Sequence, residues 1–501
     1  MSIPLPFGIT NFRLLCLRYL DLSYTSIITL DFKIEELPFL QTLILYGCYN
    51  LKELPTIAKM LSLRHLNVTR CESLLTMSSI FDEIYGRFGC SSSSRTKCEE
   101  LFYLSSIPGS SNQLQTLPTI MVGGFLDLMF LGQLNLHGEL MIRHLENVLT
   151  LDDARNANLV RKDNLDSLGL CWGNNDDEST SNPWMECKKT MFLGRDRHPS
   201  YRPSEGHQLS ADVAEEVMEG LQPHQNLKVL VVKGYPGTRF PNWTLPNLRR
   251  RVSCKQPLTS LDIVSCHKIC LLPSELGSLK SLKSLKIRWC ENLSSLPQGL
   301  QNLKALELLE ITDCHSIVSM PDDGIGGLSS LRSLSIENCN NLTYLSMSLQ
   351  NLTCLEHLTI MYCPSLVSMP KDMHHLSALR SLTILSCPQI LSLPEELKYV
   401  TALDCLEIGS FPGLMDLPTW IGDISSLRSL IISDCQNLKQ LPESLKLLTA
   451  LQHLSIQACP KIEERCREEV GEDWRKVAHV PYKYIGSPDV GQSSESGSSS
   501  V

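Results

Sequence analysis

The sequence predicts an α/β solenoid built from stacked units of about 24 residues, and three observations predict it. Eight cysteines form a ladder with successive spacings of 24, 24, 25, 24, 24, 48 and 24 residues. Each follows the phrase Leu-x-x-Leu-x-Ile, and most units then close with an aliphatic residue and Leu-Pro or Met-Pro. Self-similarity at a fixed period indicates a repeat architecture. The ladder consists of Cys266, Cys290, Cys314, Cys339, Cys363, Cys387, Cys435 and Cys459, with Phe411 at the missing step.

Each part of the unit predicts one element of the leucine-rich-repeat pattern, L-x-x-L-x-L-x-x-N/C-x-L. Leu261 and Ile263 alternate with the strand period of two, so they point inward while their neighbours point outward. The cysteine lies buried where the chain leaves the strand, and the proline ends that turn. Apolar residues three apart, as in 274–279, suit a short 3₁₀ or α turn. We expect a curved horseshoe with a concave parallel sheet and short helical or irregular convex segments.

The quality of the repeat changes along the chain and suggests seven regions. Two stretches rich in serine or in polar residues interrupt the leucine phrase and are expected to be loops, and the Ser-rich end is expected to be a disordered tail. The predicted regions are N-terminal repeats at 1–75, a loop insertion at 76–113, irregular repeats at 114–172, a disordered loop insertion at 173–210, regular repeats at 211–462, a C-terminal cap at 463–485 and a disordered tail at 486–501.

Composition and cysteine spacing exclude several classes of function. With 45 basic and 54 acidic residues, the net charge of −9 argues against a general nucleic-acid binder. Cysteines in successive coils cannot converge on one tetrahedral metal, so we interpret the ladder as core packing and expect no metal and no cofactor. The serines recur at repeat positions rather than beside a base, which argues against an enzyme. We find no secretory signal and no apolar stretch of membrane-spanning length, and expect a cytoplasmic chain, with the nucleus left open as a second compartment.

Several non-repetitive stretches resemble the repeat region of plant coiled-coil-type nucleotide-binding leucine-rich-repeat (NBS-LRR) disease-resistance proteins. They are LNLHGEL at 134–140, HLENV at 144–148, DARNAN at 153–158, NLDSLGLCW at 164–172, FPNW at 240–243 and GEDWRKVAHVP at 471–481. Members of that family are intracellular immune receptors whose repeats sense pathogen effectors and restrain a nucleotide-binding switch. The 501 residues contain no G-x-x-x-x-G-K-[ST] phosphate loop, so the resemblance extends to the repeats and not to the nucleotide-binding domain.

The concave face is the candidate site, because solenoid proteins bind partners on such extended surfaces. It combines charged residues with an apolar and aromatic group, as protein-binding surfaces do. The candidate residues are Lys286, Arg288, Trp289, Glu310, Thr312, Glu337, Thr359, Met361, Tyr362, Thr383, Leu385 and Glu407. The hypothesis is a non-catalytic module of plant innate immunity that binds a pathogen effector or a guarded host protein. The alternative is a truncated receptor fragment that regulates or titrates the nucleotide-binding domain of full-length resistance proteins.

Overall fold

A computed structural model describes residues 16–30, 34, 37–52, 54, 60–75, 114–122, 128–173, 209–241 and 258–486. The chain divides into two compact units, Met1–Lys268 and Ile269–Val501. The predicted insertion at 76–113, nearly all of the insertion at 173–210 and the tail after residue 486 lie outside the described residues. Their assignment therefore stays a prediction.

The first unit contains two parallel sheets whose strands follow chain order. The strands of the smaller sheet are β1 (Tyr19–Asp21), β2 (Thr42–Ile44) and β3 (His65–Asn67). Those of the larger sheet are β4 (Thr119–Met121), β5 (Gly138–Arg143), β6 (Leu165–Cys171), β7 (Val229–Lys233) and β8 (Ser260–Val264). The connections hold α-helices at Leu128–Gln133, Leu151–Arg155 and Ala211–Gly220, and 3₁₀ turns at Glu72–Leu75, Leu145–Asn147 and Leu159–Arg161.

A buried lysine ties two coils of the first unit together. Lys162 is only 2% exposed, and its Nζ donates to the carbonyls of Leu131 and Leu134 at 2.7 and 2.6 Å. These carbonyls belong to the last turn of the helix Leu128–Gln133 and to the residue after it, where main-chain acceptors lack helical partners. Burial lowers the pKa of Lys162 to about 8.

The second unit is a regular stack of parallel strands, each paired with the next along the chain. Because each strand pairs residue by residue with its neighbour one unit later, equivalent side chains stand in rows across the sheet. The strands are β9 (Ser284–Arg288), β10 (Leu308–Thr312), β11 (Ser333–Glu337), β12 (His357–Met361), β13 (Ser381–Leu385), β14 (Cys405–Gly409), β15 (Ser429–Ser433), β16 (His453–Gln457) and β17 (Tyr482–Ile485).

The inward residues are those that the leucine phrase predicts. In β12 the burial alternates, with Leu358 and Ile360 buried and their neighbours half-exposed. The ladder cysteines are buried as well, and the thiol of Cys339 donates to the carbonyl of Glu337 at 3.5 Å. Burial raises the pKa of Cys339 to about 12, so the thiol stays protonated and packs as a small apolar group. The packing interpretation of the ladder is confirmed.

The return segments are short helical turns, most of which begin directly after a predicted proline, whereas Met347–Asn351 follows Ser346 and Met373–His375 follows Asp372. Pro297 occupies the N-cap with φ −66°, which its ring already favours. Successive turns pack so closely that a Cβ on Gly277 would lie 1.9 Å from the carbonyl oxygen of Gly299. The turns are Ser274–Ser278, Gln298–Asn302, Met347–Asn351, Met373–His375, Glu395–Tyr399, Thr419–Asp423 and Glu443–Leu447, all 3₁₀, and the α-helical Asp322–Ile325.

The C-terminal segment closes the stack with the short helices Pro460–Arg465 and Trp474–Val477 and with β17. The first helix ends at Arg465, within the predicted cap at 463–485. The carboxylate of Asp473 is fully buried and accepts a hydrogen bond from the main-chain N–H of Leu441 at 2.9 Å. Arg465 donates to it twice at 3.1 Å, and Nζ of Lys476 lies 2.8 Å away. This network fastens the end of the chain to the last full coil.

Candidate protein-binding surface

The outward side chains of β9–β16, with the residue that follows each strand, form a surface that we call the strand face. One row contains Lys286, Glu310, Ser335, Thr359, Thr383, Glu407, Ile431 and Ser455. The next contains Arg288, Thr312, Glu337, Met361, Leu385, Gly409, Ser433 and Gln457. The predicted set occupies these two rows, apart from Trp289 and Tyr362, which follow strands. Sequence periodicity therefore brings the candidate residues together, while their use in binding stays a prediction.

The residues after the strands form a third row with a special backbone. Each has a positive φ, between 49° and 55°, which non-glycine residues seldom adopt. Main-chain hydrogen bonds hold this conformation, since the N–H of Tyr362 donates to the carbonyl of Leu385 at 2.9 Å. The row contains Trp289, Asp313, Asn338, Tyr362, Ser386, Ser410, Asp434 and Ala458. Its side chains therefore start from fixed points along one border of the sheet.

At the basic end of the strand face, two cations share one carboxylate of the next strand. Lys286 is 3% exposed, and its Nζ lies 3.2 Å from Oε2 of Glu310. Arg288 approaches Oε1 of the same carboxylate at 3.9 Å and lies against the ring of Trp289 at 5.8 Å. Removing one partner of such a buried pair costs several kcal/mol, about 3–5. Lys286 therefore stabilises the face more than it offers a free charge to a partner.

Beyond this end the strand face becomes acidic. Glu337 accepts a hydrogen bond from the hydroxyl of Ser335 at 2.7 Å, and Asp313 accepts one from the side-chain amide of Asn338. Burial raises the pKa of Glu337; the Ser335 hydrogen bond opposes this, and the negative charges of Glu310 and Asp313 add to it. A cation close to Glu337 would therefore stabilise its charged form against both the cost of burial and the repulsion from Glu310 and Asp313.

An apolar centre follows at β12 and β13. It consists of Met361, Tyr362 and Leu385, of which Tyr362 is 47% exposed and the other two are half-buried. Leu385 lies over Gly409 of the next strand, where an added Cβ would come within 2.9 Å of its Cδ2. Next to this centre, Thr383 donates to Glu407 at 3.3 Å. Exposed aromatic and aliphatic groups with a polar rim are typical of protein-binding surfaces.

The border of the strand face also forms an open groove. It runs past the third-row residues from Asn338 to Asp434 and past Pro364, Pro388 and Pro412, with a volume of about 560 Å³. The sequence prediction included only Tyr362 from this groove. The missing members could have been found from the same 24-residue spacing, because each stands one or two places from a ladder residue.

A second exposed row lies on another side of the coils, and the sequence interpretation did not find it. Val318, Tyr344, Val367, Leu391 and Met415 are each about half exposed or more and occupy successive units. Isolated parallel bridges connect Tyr344 with Ser319 and Ser368, so a short ribbon runs beside the main sheet. Their four- or five-residue offset from the ladder positions is the signal in the sequence.

In the first unit, the outward side of the strands, which is equivalent to the strand face, is more closed. Met141, Cys171 and Val231 are buried against one another on the outward side of β5–β7. A Cβ on Gly169 would come within 2.4 Å of Sδ of Met141, so the methionine covers that strand. These side chains cover the outward side of their own strands, whereas the equivalent side in the second unit is open.

Two findings concern other classes of site. Across the part of the chain that the structure describes, no group of three His, Cys, Asp or Glu side chains is arranged to hold a metal ion. No helix within the described ranges is long and apolar enough to cross a bilayer.

The geometry first defines a class of protein. Each regular coil combines an inward Leu-x-Ile strand, a left-handed turn residue, a buried cysteine or phenylalanine and a short helical return, which together make a leucine-rich-repeat solenoid. Comparisons with known proteins then give the group that it resembles. Residues 128–290 and 388–459 match the family described as R13L1/DRL21 LRRs.

The chain carries leucine-rich repeats similar to those of plant disease resistance proteins. Disease resistance protein RGA2 of Solanum bulbocastanum is 33% identical over 138 residues, 27% of this chain and 11% of that protein. Four further disease resistance proteins of Solanum bulbocastanum and Arabidopsis thaliana are 29 to 33% identical over 149 to 175 residues, covering 30 to 34% of this chain. The chain covers only 8 to 14% of the length of these five relatives.

Among solved structures, the leucine-rich-repeat domain of the type III effector XCV3220 (XopL) is 24% identical, with a TM-score of 0.37. The alignment covers 44% of this chain and 72% of that one.

Proposed function

We propose that the chain is a non-catalytic recognition module of plant defence that binds an effector or a host protein through the strand face. The observation that carries this proposal is the open apolar centre of Met361, Tyr362 and Leu385 on a surface held rigid by paired strands. The similarity to disease resistance proteins supports the defence role. The same proposal places the protein in the cytoplasm, with the nucleus as a second compartment.

A rigid, repeated sheet suits recognition for a physical reason. Main-chain hydrogen bonds fix the backbone of the strand face, so a partner that binds there has to order side chains but no main chain. Half-exposed Tyr362 can bury its ring and still present its hydroxyl to a partner, as tyrosines do at interfaces. The first unit, whose outward side is filled by Met141 and its neighbours, offers less surface of this kind.

The test is a screen of displayed plant and pathogen protein domains against the full chain, repeated with two matched variants. Tyr362→Ala removes the aromatic group from the apolar centre, and Tyr399→Ala removes an equally large, 60% exposed ring from a return turn. Interactors should lose about tenfold or more in affinity with Tyr362→Ala and stay unchanged with Tyr399→Ala.

Equal binding by the two variants would count against the strand face as the site. Recovery of a nucleotide-binding domain as the interactor would favour the regulatory alternative. Circular dichroism and unfolding midpoints of both variants establish that they fold, since surface substitutions of this kind change stability little.

A further inference from the structure

The strand face between β11 and β15 carries negative charges near both ends and a neutral centre. The first acidic site consists of Asp313, in the turn after β10, and Glu337, whose carbonyl accepts from the Asp313 N–H at 3.0 Å. The second is Glu407; its strand partner is Ile431, and Asp434 lies three residues further along in the turn after β15. The outward and turn positions of these five strands hold no lysine and no arginine. The cations of the neighbouring β9, Lys286 and Arg288, both approach Glu310.

The apolar centre lies between the two acidic sites. Glu337 stands on β11 and Glu407 on β14, so three strand-to-strand steps separate them. At about 4.8 Å per step these strands are about 14 Å apart. Glu337 also lies two residues, about 6.6 Å, further along the strand direction than the row of Glu407, so the two residues are about 16 Å apart. An extended peptide rises about 3.3 Å per residue and covers this distance in about five residues.

We infer that the strand face recognises a basic–apolar–basic protein segment, with two Lys or Arg side chains about five residues apart on either side of an aliphatic or aromatic residue. One cation pairs with each acidic site and the middle residue covers the apolar centre. This inference rests on the proposed function and adds the chemistry of the partner to it.

Charge complementarity carries the choice of partner. An acidic segment would place like charges beside Glu337 and Glu407, which costs free energy in a partly desolvated interface. Glu337 already has its pKa raised by burial and by its acidic neighbours, so a cation gains more there than at a solvated carboxylate. Contacts between charges at the edge of an interface are screened by salt, whereas burial of the apolar centre is not.

The experiment is a selection of a random peptide library on the full chain, followed by binding measurements on the enriched peptides. Enriched peptides should carry net positive charge and the basic–apolar–basic spacing. Glu337→Gln and Glu407→Gln should each weaken binding about tenfold, and the effect should shrink at high salt. Glu468→Gln is the matched control, because Glu468 is an exposed carboxylate of the C-terminal segment and not of the strand face.

The outcomes separate this inference from the proposed function. Enriched peptides that are neutral or acidic, and that bind Glu337→Gln and Glu407→Gln as well as the unmodified chain, overturn the inference. If those peptides still lose affinity with Tyr362→Ala, the strand face keeps its proposed role. Peptides that bind Tyr362→Ala without loss contradict both, and a selection with no enrichment contradicts the inference alone, because a linear segment is its stated ligand. Both glutamine variants should unfold at or above the midpoint of the unmodified chain, since neither removes a cation's partner.

Discussion

Replacing Asp473 by asparagine should loosen the C-terminal end of the chain. The buried carboxylate accepts from the main-chain N–H of Leu441, twice from Arg465 and from Lys476. Lys476 in turn donates to the carbonyl of Leu441 at 2.6 Å. An asparagine keeps one acceptor oxygen but loses the charge, so two cations lose their shared counter-ion.

The loss of free energy of unfolding depends on whether Arg465 and Lys476 can find another partner or water. Breaking a buried ion pair costs about 3–5 kcal/mol when the remaining charge cannot escape. Arg465 is about one-third exposed and has Glu472 as a second partner, and Lys476 lies 3.6 Å from Glu443. Both cations can be partly resolvated, so we expect a smaller loss of about 2–3 kcal/mol, at or below the lower limit of that range.

The loss should be local and dependent on pH. Burial acts to raise the pKa of Asp473, but the hydrogen bonds from Arg465, Lys476 and the Leu441 N–H hold it below its ordinary value. The stabilisation is thus full above the unfolded-state pKa of about 3.9 and is lost as the pH falls through the lower folded-state value. The difference between the two proteins should therefore disappear in acid.

Hydrogen exchange and urea unfolding measure both expectations, with Asp423→Asn on an exposed return turn as the control. Stability in a solenoid is a sum of coil and neighbour terms, so exchange should increase at β15–β17 and stay unchanged at β9–β11. A loss below about 0.5 kcal/mol, the size of an ordinary surface substitution, would refute the reasoning. So would an increase in exchange spread evenly over the second unit.

Three further outcomes are expected. Lys162→Met should destabilise the chain by about 1–3 kcal/mol, because it leaves two carbonyls without a donor. The folded-state pKa of Lys162 is lowered to about 8, so the stability of the unmodified chain should rise relative to that of the variant between about pH 8 and 10.4. A pH series of urea titrations measures this difference, and a difference that stays constant with pH contradicts the expectation. Gly409→Ala should cost about 1–3 kcal/mol in the same titrations, since its Cβ would lie 2.9 Å from a main-chain oxygen of β15, and an unchanged midpoint would show that the strand can shift. Iodoacetamide should label exposed Cys354 and spare buried Cys339 in the folded chain, and mass spectrometry showing equal labelling would contradict the packing of the ladder.

The regular part of the fold could be predicted because one rule repeats. Leu285 and Ile287 are buried, as their alternation predicts, and the same is true in later strands. The environment of the side chains between them is harder to predict, because it depends on the residues of the neighbouring coil. Lys286 was expected to be an outward charge, yet Glu310, 24 positions later, removes it from solvent. That pairing was readable from the repeat alignment.

Features without a periodic signal were not predictable in the same way. β17 has no leucine phrase, yet it pairs with β16, and the segment before it is fastened to Leu441 by Asp473. The left-handed residues, from Trp289 to Ala458, share a position but not a residue type. Asp313, Asn338 and Asp434 are of types that tolerate positive φ, but the other five are not, so only the repeat register identifies the whole row. The candidate site was therefore located by sequence, and its charge pattern became clear from the packing.

Hydrogen exchange of the full chain with and without a recovered interactor tests the central claim most directly. Binding through the strand face should protect the main-chain amides of β11–β15 and of the turn residues Asn338, Tyr362, Ser386 and Ser410. It should leave the return turns, such as Glu395–Tyr399, unchanged. Protection confined to the return turns or to the first unit would contradict the account.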